Sequence, residues 1–368
     1  MTISKTGWLL LLATMASFVV HAQTNREKWI SVADKLIQTP AESFAFNWGE
    51  GVQMSGLMQV YARTKDERYA DYVARWADFH LPSGTQKLIG NDPGPKPLGP
   101  GYCGHWVSGT ALVYLYAARN QPEYLKTASE IADFINAGAT RSPEGAPGHW
   151  QGNYQLYVDT LNMTCPLLSR LSKIEGKPEY LDDAVNELLV AARHLRDEKT
   201  GLFYHMWDWQ FDRRSPVQWG RGNGWVIMSL ADVFEFLPKS HPQYGALKRL
   251  TLSFARSLVA VQDRDGAWHT LIDDPSSDAE SSATTMIGYG LQKLVRQRVL
   301  PASYSAPARR AWSLVNQRWV RDGTVVGVSE GTGPSGKEYY IQRKLGTFTW
   351  GVGSYLMLGA EMDRLAGK

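Results

Sequence analysis

Hydrophobic and polar positions follow a repeating pattern along this chain. Each repeat holds an apolar stretch rich in small residues, a short polar turn, a tyrosine and then a stretch that is apolar on one side only. The tyrosines are separated by 55, 56, 64 and 60 residues and are Tyr69, Tyr124, Tyr180, Tyr244 and Tyr304. Apolar positions at helical spacing indicate helices, and self-similarity along a chain indicates a repeat architecture. The pattern therefore predicts an array of helical hairpins.

The periodicity and the turn residues predict the helix boundaries. The first helix of each hairpin is predicted at 51–63, 106–118, 157–173, 223–237 and 282–296, and the second at 67–79, 122–137, 178–195, 242–262 and 304–319. Helices at 25–38 and 350–365 complete a sixth pair, with the C-terminal one inside. Six inner and six outer helices predict an all-α (α/α)6 barrel. We expect one domain over residues 23–368, since no Pro/Ser-rich linker divides it; an open solenoid is the alternative.

The links that lead from an outer helix to the next inner helix are long. Four of them hold most of the unusual polar and aromatic residues, at 81–104, 138–156, 197–222 and 263–281. Functional residues tend to lie on loops that a rigid scaffold positions. We therefore expect these four links to meet at one mouth of the barrel and to form the site there.

Residues 1–22 have the pattern of a secretory signal peptide. Lys5 precedes an apolar run at 8–20, and a small-x-small cleavage site ends at Ala22. We expect the mature chain to begin near Gln23 and to be periplasmic or secreted. The apolar run is too short for a membrane-spanning helix. A net charge of +3 indicates neither a nucleic acid nor a membrane surface as partner.

The run from Trp219 to Trp225, Trp-Gly-Arg-Gly-Asn-Gly-Trp, leads into the fourth predicted inner helix. Glycines let a ligand approach the backbone closely, and a helix start beyond them offers unpaired N–H groups. Arg221 adds a planar fork that suits a carboxylate, and the two tryptophans offer flat faces for a sugar ring. The run therefore predicts a site for an acidic sugar. The alternative is a glycine-rich loop whose tryptophans belong to the core.

Asp159 and His205 are the candidate catalytic residues. Asp159 stands where an apolar inner helix begins, and burial there is expected to raise its pKa, as a general acid requires. The alternative for Asp159 is a helix-capping role. His205 follows an aromatic run from which it could reach a substrate oxygen. No metal or other cofactor is expected, because the eight histidines form no metal-binding motif.

Two cysteines, Cys103 and Cys165, allow at most one disulfide bond, and two free buried thiols are the alternative.

Several motifs occur in the order found in one enzyme family, and they span most of the chain. They lie at 157–163, 200–208, 219–225, 266–269, 280–282, 327–333 and 351–356. In these motifs the chain resembles the unsaturated rhamnogalacturonyl hydrolases of glycoside hydrolase family 105, which are related to the unsaturated glucuronyl hydrolases of family 88.

The resemblance implies an (α/α)6 barrel that acts on oligosaccharides left by polysaccharide lyases. Their non-reducing end is a 4,5-unsaturated uronic acid, and the family hydrates its C4=C5 double bond. An aspartic acid donates a proton to C4 and water adds at C5. By motif, the resemblance makes Asp159 the acid/base, His205 a catalytic-site contact, and Trp219, Arg221 and Trp225 substrate-binding residues.

The sequence departs from the family at two places. No carboxylate stands at 101–109, where the family usually has a second aspartate, and His105 is the nearest polar substitute. Gln151 stands where the family has a histidine. We add both residues to the substrate-binding set, together with Tyr157 beside Asp159 and with Trp48 at the head of the first inner helix.

Two other functions remain open from the sequence. An inverting glycosidase that acts on a saturated uronide needs two carboxyl groups, and Glu50 or Asp208 could join Asp159. A non-catalytic oligosaccharide-binding relative would bind without turnover. All three hypotheses share an acidic oligosaccharide as the ligand.

Overall fold

The computed structural model describes residues 23–90 and 101–367. The predicted signal peptide at 1–22 lies outside the described residues. Within the described part, helices buried on all sides alternate with helices buried on one face. The helices are α1 Asn25–Leu36, α2 Trp48–Thr64, α3 Glu67–His80, α4 Thr85–Leu88, α5 Ser108–Arg119, α6 Pro122–Asp133, α7 Val158–Glu175, α8 Pro178–Leu195, α9 Gly220–Val233, α10 Tyr244–Ala260, α11 Ser281–Arg296, α12 Ser305–Arg318, α13 Lys337–Ile341 and α14 Thr349–Ala366.

The buried helices α2, α5, α7, α9, α11 and α14 form a closed inner ring. Each contacts the next, and α14 contacts α2. Glycines make this last contact close: a Cβ on Gly56 would lie 2.5 Å from the carbonyl oxygen of Gly353, and a Cβ on Gly353 would lie 2.5 Å from that of Val52. Helices α3, α6, α8, α10, α12 and α1 lie outside the ring. The (α/α)6 barrel is therefore confirmed, and the open solenoid is excluded by the contact between α14 and α2.

Three tyrosines of the sequence repeat link neighbouring outer helices. In each case the hydroxyl group donates a hydrogen bond to an aspartate on the preceding outer helix, at 2.9 Å in the first pair and 2.8 Å in the second. The pairs are Tyr69 with Asp34, Tyr124 with Asp78, and Tyr180 with Asp133. The tyrosine repeat in the sequence thus corresponds to a hydrogen bond that recurs between neighbouring outer helices.

The described parts of the four long links meet at the mouth formed by the N-terminal ends of the inner helices, as predicted. Short strands pair there: β1 Gln155–Tyr157, β2 Met206–Asp208 and β3 Arg213–Arg214 form one antiparallel sheet, β4 Val320–Arg321 pairs with β5 Thr324–Val325, and β6 Val328–Ser329 pairs with β7 Leu345–Gly346. In the first sheet Tyr157 lies opposite Met206. This register brings His205, the residue before β2, next to the start of α7.

Both cysteines are buried and free, so the disulfide that the sequence allowed is not formed. Within residues 23–90 and 101–367, no helix is long and apolar enough to cross a membrane. The same residues contain no group of three or more His, Cys, Asp or Glu side chains that could hold a metal ion.

Candidate active site

Asp159 and His205 form a buried hydrogen-bonded pair at the mouth of the barrel. Nε2 of His205 lies 3.0 Å from Oδ2 of Asp159. The backbone N–H of Val158 donates to the carbonyl oxygen of His205 at 3.0 Å, which fixes the start of α7 beside the segment that enters β2. The two residues that the sequence proposed for catalysis therefore lie in direct contact. Asp159 stands in the first turn of α7, but its carboxylate bonds to His205 rather than capping the helix.

The expected rise in the pKa of Asp159 is wrong in its net direction. Burial raises this pKa and is the largest single influence, but the charge and the hydrogen bond of His205 lower it, and the charge of Arg221 lowers it further. The pKa therefore lies below its ordinary value. Asp159 is therefore a carboxylate at neutral pH, and a proton held at this position would be shared within the Asp159–His205 pair.

A second histidine lies behind the pair and stays neutral. His149 is buried, and burial lowers its pKa to about 3. Its Nδ1 lies 3.0 Å from Oγ1 of Thr160, and its ring stacks on Tyr157 at 3.9 Å between centroids. Tyr157, which is half-buried, also packs edge-on against His205 at 5.5 Å. Tyr157 is thus held beside the pair, and its substrate-binding role stays a prediction.

Tyr340 belongs to the site and was missed by the sequence analysis. Its hydroxyl group lies 2.7 Å from Nδ1 of His205, on the side of the imidazole opposite to Asp159. Tyr340 is buried on the short helix α13, which lies in the link between β6 and β7. The local sequence around Tyr340 shows only a tyrosine pair after a glycine-rich turn. The contact could not be predicted because His205 and Tyr340 are 135 residues apart in the chain.

Arg221 does not present a free fork to a ligand. Nη1 donates to the carbonyl oxygen of Ser329 at 2.7 Å, and Nη2 donates to that of Glu330 at 2.8 Å and to Oγ1 of Thr332 at 3.1 Å. Its Nε has no partner among the described residues. Burial lowers the pKa of Arg221 to about 10, so it remains a cation at neutral pH. The expected bidentate contact with a carboxylate is therefore replaced by contacts with the protein's own backbone.

Glu280 also holds strand β6, through the backbone N–H of Ser329. Its carboxylate accepts hydrogen bonds from the backbone N–H groups of Ser282 and Ala283 at the start of α11, and from the N–H of Ser329 at 2.8 Å. Glu280 was noticed only as part of a family motif. Together, Arg221 and Glu280 fix strand β6, and β6 with its partner β7 frames the helix that carries Tyr340.

The glycines of the run 219–225 serve helix packing and not ligand approach. Helix α9 begins at Gly220, three residues before the predicted start at 223, so Gly220 and Gly222 lie in its first turn instead of preceding it. A Cβ on Gly220 would lie 2.0 Å from the carbonyl oxygen of His269, and one on Gly224 would lie 2.7 Å from Cβ of Met286. Glycine is needed because α9 lies this close to its neighbours.

The predicted tryptophans occupy different positions in the site. Trp219 is buried and packs against His205 at 4.4 Å between ring centroids. The Arg221 guanidinium lies over the same tryptophan, 4.2 Å from the centroid of its ring. Trp225 is also buried and contacts the edge of Trp48. Trp48 is half-buried and stacks on Trp350 at 4.2 Å. Among these four tryptophans, Trp48 retains the largest exposed face at the mouth.

His105 and Gln151 do not contact the pair. The His105 ring packs edge-on against Tyr102 at 5.6 Å, and burial lowers its pKa. Oε1 of Gln151 accepts hydrogen bonds from the backbone N–H of Thr140 at 2.7 Å and from its hydroxyl group at 3.1 Å. Both residues thus have structural contacts in the loops. Their assignment to the substrate-binding set is not supported by this geometry.

The chain matches one enzyme family over almost its full length. A profile of Glycosyl Hydrolase Family 88 aligns with residues 20–366. The chain belongs to this family. The resemblance drawn from the motifs is therefore confirmed, and the protein is a glycoside hydrolase.

Individual relatives agree with this membership. The chain is 28% identical over 317 residues to the unsaturated rhamnogalacturonyl hydrolase YesR of Bacillus subtilis strain 168, with 84% of this chain and 86% of that protein covered. It is 30% identical over 276 residues to an unsaturated 3S-rhamnoglycuronyl hydrolase of Alteromonas sp. strain LOR, with 70% of this chain and 65% of that protein covered.

A solved structure shares the fold. A possible member of the GH105 family from Salmonella enterica subsp. enterica serovar Paratyphi A superposes with a TM-score of 0.83 at 23% identity, covering 98% of this chain and 100% of that chain.

Proposed function

We propose that this glycoside hydrolase removes a 4,5-unsaturated uronic acid from the non-reducing end of oligosaccharides released by polysaccharide lyases. The buried contact between Asp159 and His205 at the mouth is the observation that carries the proposal. The names of the relatives from B. subtilis and Alteromonas, both unsaturated uronyl hydrolases, support it.

Hydration of a vinyl ether needs one acid/base group and one water molecule. The Asp159–His205 pair gives a proton to C4, which leaves positive charge at C5 shared with the ring oxygen. Water adds at C5, and its surplus proton returns to the Asp159 carboxylate. The C5 hemiketal then opens to a ketone, and the hemiacetal left at C1 releases the alcohol of the next sugar. One water is consumed, and the products are the shortened oligosaccharide and a 5-keto uronate.

Inverting hydrolysis of a saturated uronide fits this site less well. It needs a second carboxyl group across the scissile bond. The Asp208 carboxylate is engaged by the N–H groups of Gln210 and Phe211 and by the side-chain amide of Gln155. Glu50 is half-buried in the first turn of α2, and it makes no hydrogen bond to Asp159 or His205.

The sugar ring is proposed to lie against Trp48 and Tyr157, because both combine an aromatic face with partial exposure. Trp219 and Trp225 then act by packing behind the site. Arg221, still a cation, attracts the uronate carboxylate through its field while its terminal nitrogens hold β6.

Export is also proposed, from the pattern of residues 1–22 alone. The mature enzyme would begin near Gln23 in the periplasm or outside the cell, where lyase products of large polysaccharides are formed. Mass spectrometry of the product expressed with its own N-terminus tests this. An intact mass that retains Met1 would reject cleavage after Ala22.

The test of the activity uses a panel of lyase-generated oligosaccharides from rhamnogalacturonan, ulvan and a glycosaminoglycan. Loss of the ultraviolet absorbance of the conjugated double bond, together with release of one new reducing end, is the expected result. Release of a uronic acid from the saturated analogue would instead indicate the inverting glycosidase. Binding by calorimetry without either change would indicate a sugar-binding protein.

A further inference from the structure

His205 has a hydrogen-bond partner on each ring nitrogen, and the two partners differ in kind. Asp159 at Nε2 is a carboxylate, which only accepts a hydrogen bond in its ionised form. Tyr340 at Nδ1 is a phenol, which can donate or accept. The three groups form one continuous row of hydrogen bonds of 3.0 and 2.7 Å.

Tyr340 is held firmly in this position. It is 1% exposed, and its ring lies 6.2 Å from that of Trp219. Burial raises the pKa of its phenol, so Tyr340 keeps its own proton throughout. Strand β6, which precedes α13, is fixed by Arg221 and Glu280.

We propose that Tyr340 is a positioning residue that lets His205 hold the catalytic proton and give it up in turn. The inference rests on the proposed hydration reaction. When the pair carries the proton, Nδ1–H of His205 donates to the Tyr340 oxygen, and the proton lies on Nε2 or on Oδ2 of Asp159. When the proton has passed to C4, His205 is neutral and its Nδ1–H still donates to the Tyr340 oxygen.

The hydrogen bond from Nδ1–H to Tyr340 is thus kept in both states. The position between Nε2 of His205 and Oδ2 of Asp159 is then empty, and the pair can accept the proton that water gives up. Phenylalanine at 340 could accept this hydrogen bond in neither state.

The titratable groups around His205 lie on four elements and on the loop before β1. The titratable groups that face the pair are Asp159 on α7, Tyr157 on β1, His149 before β1, Arg221 on α9 and Tyr340 on α13. His149 is neutral because burial lowers its pKa to about 3. The Arg221 cation is fixed by its contacts with β6. Tyr340 is the group that contacts Nδ1 itself.

The test compares Tyr340→Phe with Tyr339→Phe. The first variant keeps the buried ring and loses only the hydroxyl group. The control removes the neighbouring hydroxyl, which contacts the N–H of Gly333 and Nη1 of Arg343 at 3.4 Å and lies outside the row. Circular dichroism first establishes that both variants fold.

For Tyr340→Phe we expect kcat to fall at least tenfold while KM stays within about twofold. The alkaline limb of the kcat profile should move to lower pH by roughly one unit, because the protonated pair loses the stronger, charge-assisted bond. Tyr339→Phe should match the wild type in all three quantities. A Tyr340→Phe enzyme with an unmoved alkaline limb would overturn the proposal, whether or not kcat falls.

A second readout does not depend on activity. The ¹⁵N chemical shifts of the His205 ring report which nitrogen carries a proton, and their pH titration should move to lower pH in Tyr340→Phe. An unchanged titration would also overturn the proposal. If the wild-type enzyme consumes no unsaturated oligosaccharide, the proposed function fails, and these shifts still decide what Tyr340 does to His205.

Discussion

Nη1 of Arg221 donates a 2.7 Å hydrogen bond to the carbonyl oxygen of Ser329, 108 residues further along the chain. This contact joins the first turn of α9 to strand β6. Because the link after β6 carries Tyr340, the arginine that looked like a substrate ligand in the sequence holds part of the candidate active site in place.

Replacing Arg221 by lysine should lower kcat/KM at least about tenfold. An ammonium group cannot bond Ser329, Glu330 and Thr332 together. Each charge-assisted hydrogen bond that is lost contributes about 1.5–3 kcal/mol. Steady-state kinetics measures this loss. Limited proteolysis should also show faster cleavage within 330–346. Arg213→Lys, an exposed change on β3, is the matched control. Wild-type kinetics in Arg221→Lys would mean that β6 needs no such anchor.

Asp159→Asn should lower turnover about a thousandfold, within the range measured for loss of a general acid–base group. The amide keeps the shape of the carboxyl but cannot carry the proton for C4. Substrate binding by calorimetry and the melting temperature should stay close to wild type. Turnover within about tenfold of wild type would remove Asp159 from the mechanism.

His105→Ala should leave kcat and its pH profile nearly unchanged, within about threefold. The ring packs against Tyr102 and has no hydrogen bond to Asp159 or His205. A modest fall in melting temperature is expected from the lost packing. A large fall in kcat would instead restore His105 as a substitute for the family's second aspartate.

Glu187 should make the enzyme less stable as the pH rises from about 5 to 8. Its carboxyl is fully buried beneath α7, and burial raises its pKa to about 8, although a hydrogen bond from Thr164 opposes this. The folded state holds a proton that the unfolded state releases above about pH 4.5, so the free energy of unfolding falls by up to about 1.4 kcal/mol per pH unit across this window.

Glu187→Gln removes this titration while keeping an acceptor for Thr164. Denaturant unfolding at pH 5 and pH 8 should show that the advantage of the variant over wild type grows with pH. A constant difference between the two proteins at both pH values would contradict the assignment. Glu179→Gln, at the start of the same helix and exposed, is the control.

Much of the ring could be predicted because its signals are local. Helix α3 was predicted at 67–79 and is observed at Glu67–His80, and α8 was predicted at 178–195 and is observed at Pro178–Leu195. Apolar periodicity and a proline in the first turn mark such boundaries within a few residues. The prediction set the start of α9 three residues too late, at 223, because glycines usually mark a loop. Gly220 is required inside the helix by the close approach of the His269 backbone.

The sequence by itself determined the order of the helices, their pairing into hairpins and the family motifs that hold Asp159 and His205. Tertiary structure decided which polar groups meet. It placed Tyr340 on His205 across 135 residues and gave the fork of Arg221 to the carbonyl groups of Ser329 and Glu330. A buried hydrogen-bonding group must find a partner, and that partner is set by how distant segments pack. The net pKa of Asp159 depends on the same distant neighbours and therefore cannot be obtained from its local sequence.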